Sequence, residues 1–232
     1  MRKLFQSEWH NIKFADIANV SSRSLADQKF YENFYRAFFK KYRSYKELDP
    51  SWLKLKTSIA DYCIHDHFRS TKRSILSIGC GIGIIEKRLF EKGYLNITVT
   101  ESSPIPLKWI SNILPPDQIL ISSLLANVPC NSFDHLLMGG IDYFLDEDQL
   151  SCLLNSSKSY LTPSGSLVMI SWSFEEKSTT DPTDSEDQQF WGWVRTIEEF
   201  KDLFVKSGFQ NVKHEIIDTQ TKWKTLILSA QL

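Results

Sequence analysis

Gly79, Cys80, Gly81 and Gly83 form one turn, a lone acid, Glu101, follows one strand later, and together they have the makings of a nucleoside site. Glycine lets a chain bend sharply and lets a ligand lie close against the backbone. The turn runs into a helix, so main-chain N–H groups at that N-terminus are expected to point outwards as free donors. An acidic side chain at the end of the next strand accepts hydrogen bonds from ribose hydroxyls. The spacing is G-x-G-x-G, and Ile84 stands where a dinucleotide fingerprint needs its last glycine. The competing reading is a glycine turn that only packs a helix on a strand.

The elements that must position these residues are legible around them. Ile75 to Ile78 is an apolar run suited to a strand buried on both faces. Ile84, Ile85, Leu89 and Phe90 recur at helical spacing, Gly93 stops that helix, and Asn96 to Thr100 makes a second strand. The chain has 232 residues, enough for one α/β domain with an appendage. A net charge of −1 supplies no field for nucleic acid, so no nucleic-acid partner is expected. Four scattered cysteines suit a reducing compartment, and no run reaches the length of a signal peptide or a membrane span. The expectation is a cytosolic protein.

The strand running into GxGxG resembles the first motif of the class I S-adenosylmethionine-dependent methyltransferases. That resemblance implies an α/β, three-layer Rossmann-like methyltransferase fold over residues 73–232, with a mostly parallel sheet that ends in an antiparallel β-hairpin. It implies S-adenosylmethionine as cofactor, with Gly79, Cys80, Gly81 and Gly83 around its methionine part, Glu101 at its ribose, and Ser102 among the residues that bind it. It places Ser123 and Leu124, after the third strand (118–122), near the adenine. This chain departs from the family at Ser77, where an acid usually stands two positions before the first glycine. The segment Asn131-Ser132-Phe133-Asp134 resembles the turn into the family's fourth strand. Ligands bind beyond the carboxyl ends of strands in open parallel sheets, which singles out Gly139, Gly140, Ile141, Asp142 and Tyr143. His135, inside that strand, reads as a core histidine. Two β-like runs, 212–217 and 223–228, read as the terminal hairpin.

Residues 1–72 read as a helical, aromatic-rich extension. Phe30, Phe34, Phe38 and Tyr31, Tyr35, Phe39 recur at i, i+4, and Asp49-Pro50 starts a second helix expected to reach Phe68. These helices either pack on the sheet edge or form a cap over the site. Cys63, His65 and His67 cannot converge on one ion from an α-helix, so no metal is expected there. Pro104 and Pro106 open a crossover helix, Thr162-Pro163-Ser164-Gly165 makes a turn before a strand at 167–172, and 175–189 reads as a polar loop. Capping boxes are expected at Asp146–Gln149 and Thr196–Glu199. Phe190, Trp191 and Trp193 are read equally as a hydrophobic plug or as a substrate wall.

Methyl transfer from a sulfonium is an in-line displacement that needs alignment and exclusion of water, and a hydroxyl acceptor gains from a nearby base. Asp142, then Tyr143, is the candidate base. The acceptor expected is a small molecule or saccharide, methylated at a hydroxyl or an amine. A protein or RNA acceptor and a catalytically silent interaction module stay open, as does the oligomeric state.

Overall fold

The computed structural model describes residues 1–18, 24–121, 128–173, 188–217 and 224–232. The chain opens in strands: β1 (Arg2–Gln6), β2 (Glu8–Trp9) and β3 (Ile12–Lys13). Helices α1 (Gln28–Lys41) and α2 (Pro50–Tyr62) follow, and the Asp27 and Asp49 side chains cap them by accepting from the Phe30 and Trp52 amides. Then come β4 (Ile75–Ile78), α3 (Ile84–Glu91), β5 (Ile97–Glu101), β6 (Ile119–Ile121) and β7 (Phe133–Gly139). The chain continues through α4 (Glu147–Ser157), β8 (Leu161–Ser173), β9 (Gln189–Val194) and α5 (Ile197–Lys206) to β10 (Gln210–Ile217) and β11 (Lys224–Gln231).

Seven of these strands form one sheet in the order β10-β11-β8-β7-β4-β5-β6. Strands β4 to β8 run parallel, and β11 lies antiparallel between β8 and β10. The α/β class, the mostly parallel sheet and the terminal hairpin are therefore as expected. Alternate residues of the strands serve opposite faces. Leu76, Ile78, Leu136, Met138, Leu167 and Met169 pack with Leu150 and Leu154 of α4 and with Phe200 and Phe204 of α5. Ile75, Leu137, Val168 and Ile170 face Ile59 of α2 and Ile85 and Leu89 of α3. The strand order reverses at β4, which has β5 on one side and β7 on the other.

A third cluster joins Phe14, Phe30, Phe34, Phe38, Trp109 and Trp191 to Ile82 of the glycine turn. Phe14 stacks on Trp191 with ring centroids 4.9 Å apart, and Trp9 stacks on Phe34 at 4.9 Å. The reading of residues 1–72 as helices alone needs correction here. Strand β9 carries Phe190 and Trp191 into the interior, and its main-chain groups need partners. Strand β1 supplies them, from Arg2 opposite Val194 to Gln6 opposite Gln189.

Three local expectations also change. Beyond Tyr62 the chain widens into a π-helical turn, Cys63–Phe68, which ends at Arg69 in the left-handed conformation. Cys63 is buried there, while His65 is exposed. The crossover after β5 breaks into two 3-10 turns, Pro106–Lys108 and Ile110–Asn112. Proline lacks the N–H that a continuous helix would need. The turn foreseen at 162–165 lies inside β8 as a bulge: Leu161 pairs with Phe133, and the next pairing is Ser166 with His135. Both capping boxes form with reciprocal hydrogen bonds. Most of the polar loop foreseen at 175–189, together with Ser123, Leu124 and Trp223, lies outside the described residues.

Candidate functional site

Strands β4 and β5 lie side by side with Ile78 opposite Thr100, so the turn after one meets the acid that ends the other. The turn is built from left-handed glycines, with φ of +70° at Gly79, +56° at Gly81 and +73° at Gly83. An L side chain at any of these positions would be strained. Half-buried Glu101 turns back onto this bend. Its Oε2 accepts from the Gly81 amide at 3.0 Å, and its Oε1 accepts from the Ser102 amide at 2.8 Å and the Ser102 hydroxyl at 3.1 Å. Burial raises the pKa of the Glu101 carboxyl, against the pull of the Ser102 and Gly81 amides. The structure thus brings Gly79, Cys80, Gly81, Gly83, Glu101 and Ser102 together.

The free main-chain donors expected at the bend are not free. Gly79 and Cys80 both donate to the Thr100 carbonyl, at 3.0 and 3.2 Å, and Gly83 donates to the Cys80 carbonyl at 3.0 Å. The neighbouring strand takes the amides that an isolated turn would leave exposed. What the turn offers is the missing side chains. A Cβ on Gly79 would meet Ile141 Cδ1 at 2.9 Å, and one on Gly81 would meet the Tyr35 hydroxyl at 3.2 Å. On Gly83 it would strike the Ile110 side chain at 2.7 Å. Ile141 and Tyr35 reach the turn with their side-chain tips, whereas Gly83 meets Ile110 down to its β-carbon.

Tyr35 is a site residue that the sequence reading left within an apolar stripe. Helix α1 has two adjacent stripes: Phe30, Phe34 and Phe38 are buried, and Tyr31, Tyr35 and Phe39 are half-buried. The second stripe faces the turn and carries the hydroxyls, which is the signal that would have marked it. Burial and the nearby Glu101 carboxylate raise the Tyr35 pKa, so its hydroxyl stays protonated. Tyr45 closes the same side, donating to the Ile82 carbonyl at 2.6 Å. Helix α1 thus reaches the turn through Tyr35, while Ile59 of α2 packs on the sheet.

Gly139 ends β7, and the amide of Gly140, just beyond it, donates to the Ile170 carbonyl at 2.8 Å. Asp142 follows and is only 1% exposed. Its Oδ2 accepts from the Ser171 hydroxyl at 2.5 Å, while its Oδ1 is buried without a hydrogen-bond partner among the described residues. Desolvation raises its pKa to about 6, opposed by the Ser171 hydrogen bond and by Arg195. Arg195 donates to the Asp142 and Leu145 carbonyls at 2.8 and 2.6 Å and so fixes the segment that carries the acid. Tyr143 packs over Gly140 and stacks near Trp191, and burial holds its hydroxyl protonated. Arg195 lies far along the chain, and nothing local marks it. His135 is half-buried in β7, its Nδ1 2.8 Å from the Ser166 hydroxyl, and takes no part in the site.

Trp191 settles into the buried third cluster rather than an open wall, against Tyr31, Tyr143 and Phe144. Ser77, which stands where an acid was looked for, donates its hydroxyl to Glu86 Oε1 of α3 at 2.6 Å. Among the described residues, no group of three or more histidines, cysteines or acids could hold a metal ion, and no helix is long and apolar enough to cross a membrane.

No protein-family model and no curated protein matches the chain. Solved structures do match. A candidate O-methyltransferase from Nostoc punctiforme superposes with a TM-score of 0.63 at 14% identity, covering 89% of this chain and 61% of that one. A SAM-dependent methyltransferase from Archaeoglobus fulgidus gives a TM-score of 0.59 at 16% identity, over 86% of this chain and all of the other. The 4+2 cyclase SpnF gives 0.60 at 14% identity, over 75% of this chain and 80% of its own. The chain therefore spans about three fifths of the length of the Nostoc protein. The cyclase shows that one fold carries more than one reaction.

Proposed function

We propose that this chain, whose fold is that of the class I S-adenosylmethionine-dependent methyltransferases, binds S-adenosylmethionine and moves its methyl group to a hydroxyl or amine of a small molecule or saccharide. The observation that carries the reading is Glu101, held by the Gly81 amide at the point where the strand order reverses. The residues fit the cofactor. Three left-handed glycines allow close approach, a carboxylate stands beside them for the ribose, and the groups over Gly79 and Gly81 are tips that can swing aside.

Gly79, Cys80, Gly81 and Gly83 would hold the methionine part, Glu101 and Ser102 the ribose, and Gly139 and Gly140 the floor beneath. Ser123 and Leu124 stay the candidates for the adenine. When bound, the cofactor supplies an already activated methyl group. The chain then has to orient the acceptor, exclude water and take a proton. Residues 1–72 do the excluding, as a cap whose Tyr35 and Tyr45 seal the turn; with 73–232 as the cofactor domain, this is the proposed division of the chain. Asp142 Oδ1, buried without a donor among the described residues, is the proton acceptor, with Tyr143 beside it. A small, uncharged or saccharide acceptor suits the near-neutral chain and its aromatic cap better than RNA, which calls for a basic face.

The test is calorimetry with S-adenosylmethionine. The intact chain should bind, and Gly81→Arg or Glu101→Ala should weaken binding at least tenfold. One observation favours a second reading, a scaffold that binds no cofactor: Ile141 and Tyr35 lie directly on the turn. Absence of heat with the intact, folded chain would support that scaffold and defeat the methyltransferase.

A further inference from the structure

The glycine turn and Asp142 lie beyond the carboxyl ends of the parallel strands. The opposite end of the sheet has a cleft of its own, about 910 Å³ in volume, where β7 and β8 begin and β11 finishes. Register dictates its floor. His135 of β7 pairs with Ser166 of β8, Ser166 with Gln231 of β11, and Ser229 of β11 with Lys213 of β10. Paired residues and alternate residues of a strand share a face, so these side chains lie on the face that also carries Val168 and Ile227. Helices α2 and α3 cover the apolar part of that face, and the polar part is the cleft floor. Its wall is the π-helical turn Cys63–Phe68 with Arg69, from which Asp66, His67 and Arg69 line the cleft.

Four charges face His67. Burial lowers its pKa, Asp66 and Glu215 raise it, and Arg69 and Lys213 lower it. The two acids are already engaged: Asp66 Oδ2 is 3.3 Å from His65 Nδ1, and Glu215 takes a hydrogen bond from Tyr62. The cations are not. Arg69 Nε donates to the Asp66 carbonyl at 3.1 Å, and among the described residues neither Arg69 nor Lys213 forms a salt bridge. The buried Nε2 of His67 and that of His135 have no hydrogen-bond partner among the described residues. Such atoms cost free energy until a partner meets them.

We propose that this cleft binds a phosphate monoester of a hydroxyl-rich small molecule, with Arg69 and Lys213 on the phosphate and Ser166, Ser229 and Gln231 on the hydroxyls. A guanidinium fork matches two phosphate oxygens, and an ammonium adds a point charge. The floor groups both donate and accept, which suits hydroxyls better than a bare anion. The volume is that of a small-molecule site and far exceeds a lone phosphate. The proposal is independent of the methyltransferase reading, since cleft and glycine turn lie at opposite ends of the sheet.

NMR of histidine-labelled protein tests it, because His67 and His135 report from the cleft and His10 from the N-terminal cluster. With ionic strength held constant by sodium chloride, glucose 6-phosphate should move the His67 and His135 signals saturably and leave His10 in place. Inorganic phosphate should bind at least tenfold more weakly, and glucose should not saturate. Arg69 and Lys213 are exposed, so Arg69→Gln and Lys213→Gln should melt as the parent does. Each should weaken glucose 6-phosphate about tenfold, the worth of one charge-assisted hydrogen bond. Shifts that never saturate, or variants that bind as the parent does, would overturn the proposal. So would inorganic phosphate binding as tightly as the sugar phosphate, since the floor would then take no part. None of these outcomes bears on S-adenosylmethionine binding, which calorimetry tests separately.

Discussion

Asp142 is a carboxyl group kept nearly dry, and its acidity makes two predictions. In the proposed role of proton acceptor it would work only when ionised, so methyl transfer should rise with pH through about 6 and level off above. Asp142→Asn should cut turnover by roughly 10²- to 10⁴-fold and abolish that limb of the profile, measured as initial rates across pH. The stability effect runs the other way. Its pKa is about 6 folded against 3.8 unfolded, so between those values the folded chain keeps a proton that the unfolded chain has released. That contribution is complete below 3.8 and is lost as pH rises through about 6, a difference of roughly 3 kcal/mol. Asp142→Asn should therefore melt higher than the parent at pH 7.5 and show no such gain at pH 4. At this scale the sequence was informative about residues that meet across neighbouring strands, as Gly79 to Gly83 do with Glu101. It was silent on Tyr35 and Arg195, because each reaches the site from an element that no local pattern links to it. The engaged amides of Gly79 and Cys80 were illegible for the same reason: their acceptor, the Thr100 carbonyl, belongs to the next strand.

Among the elements, β9 and the aromatic cluster it anchors are the most exposed to a single change. Trp191 is 3% exposed and touches Trp9, Phe14, Phe30, Tyr31 and Phe34. Trp191→Ala should cost about 3–5 kcal/mol in urea denaturation, since it empties the centre of the aromatic cluster. Thr196→Ala removes one half of a reciprocal cap on α5 and should cost about 1 kcal/mol in the same assay. The contrast explains what could be read in advance. A capping box is complete within four residues, so both were legible. Strand β1 was not, because Arg2-Lys3-Leu4-Phe5-Gln6 becomes a strand only when β9 is beside it. The π-turn after α2 and the broken crossover after β5 were likewise decided by packing, although the prolines of the crossover hinted at its interruption.

Over the whole molecule, acid sensitivity should be dominated by histidine. Burial lowers the pKa of both His10 and His135 to about 4, and each has a buried Nε2 with no partner among the described residues. Both are neutral when folded and take up a proton near 6.5 when unfolded, so stability falls as pH drops from about 6.5 to 4. Substituting both, His10→Phe with His135→Gln, should shift the midpoint of acid unfolding to lower pH, followed by circular dichroism. A midpoint that stays in place would mean that other groups govern this limb. The α/β class, the parallel order around β4 and the closing hairpin were legible from motif order, because each strand-helix step is local. The path of the N-terminal segment was not.

The β1–β9 ribbon has a consequence for how the protein is made. Its two halves are separated by almost the entire sheet domain in sequence, and closing so long a loop is entropically costly. The sheet can assemble from near neighbours while the aromatic face of α1 still waits for Trp191 to be synthesised. In that interval the phenylalanine stripe is bare and liable to stick to other nascent chains. Ligand competence should therefore appear late, after most of the secondary structure has already formed.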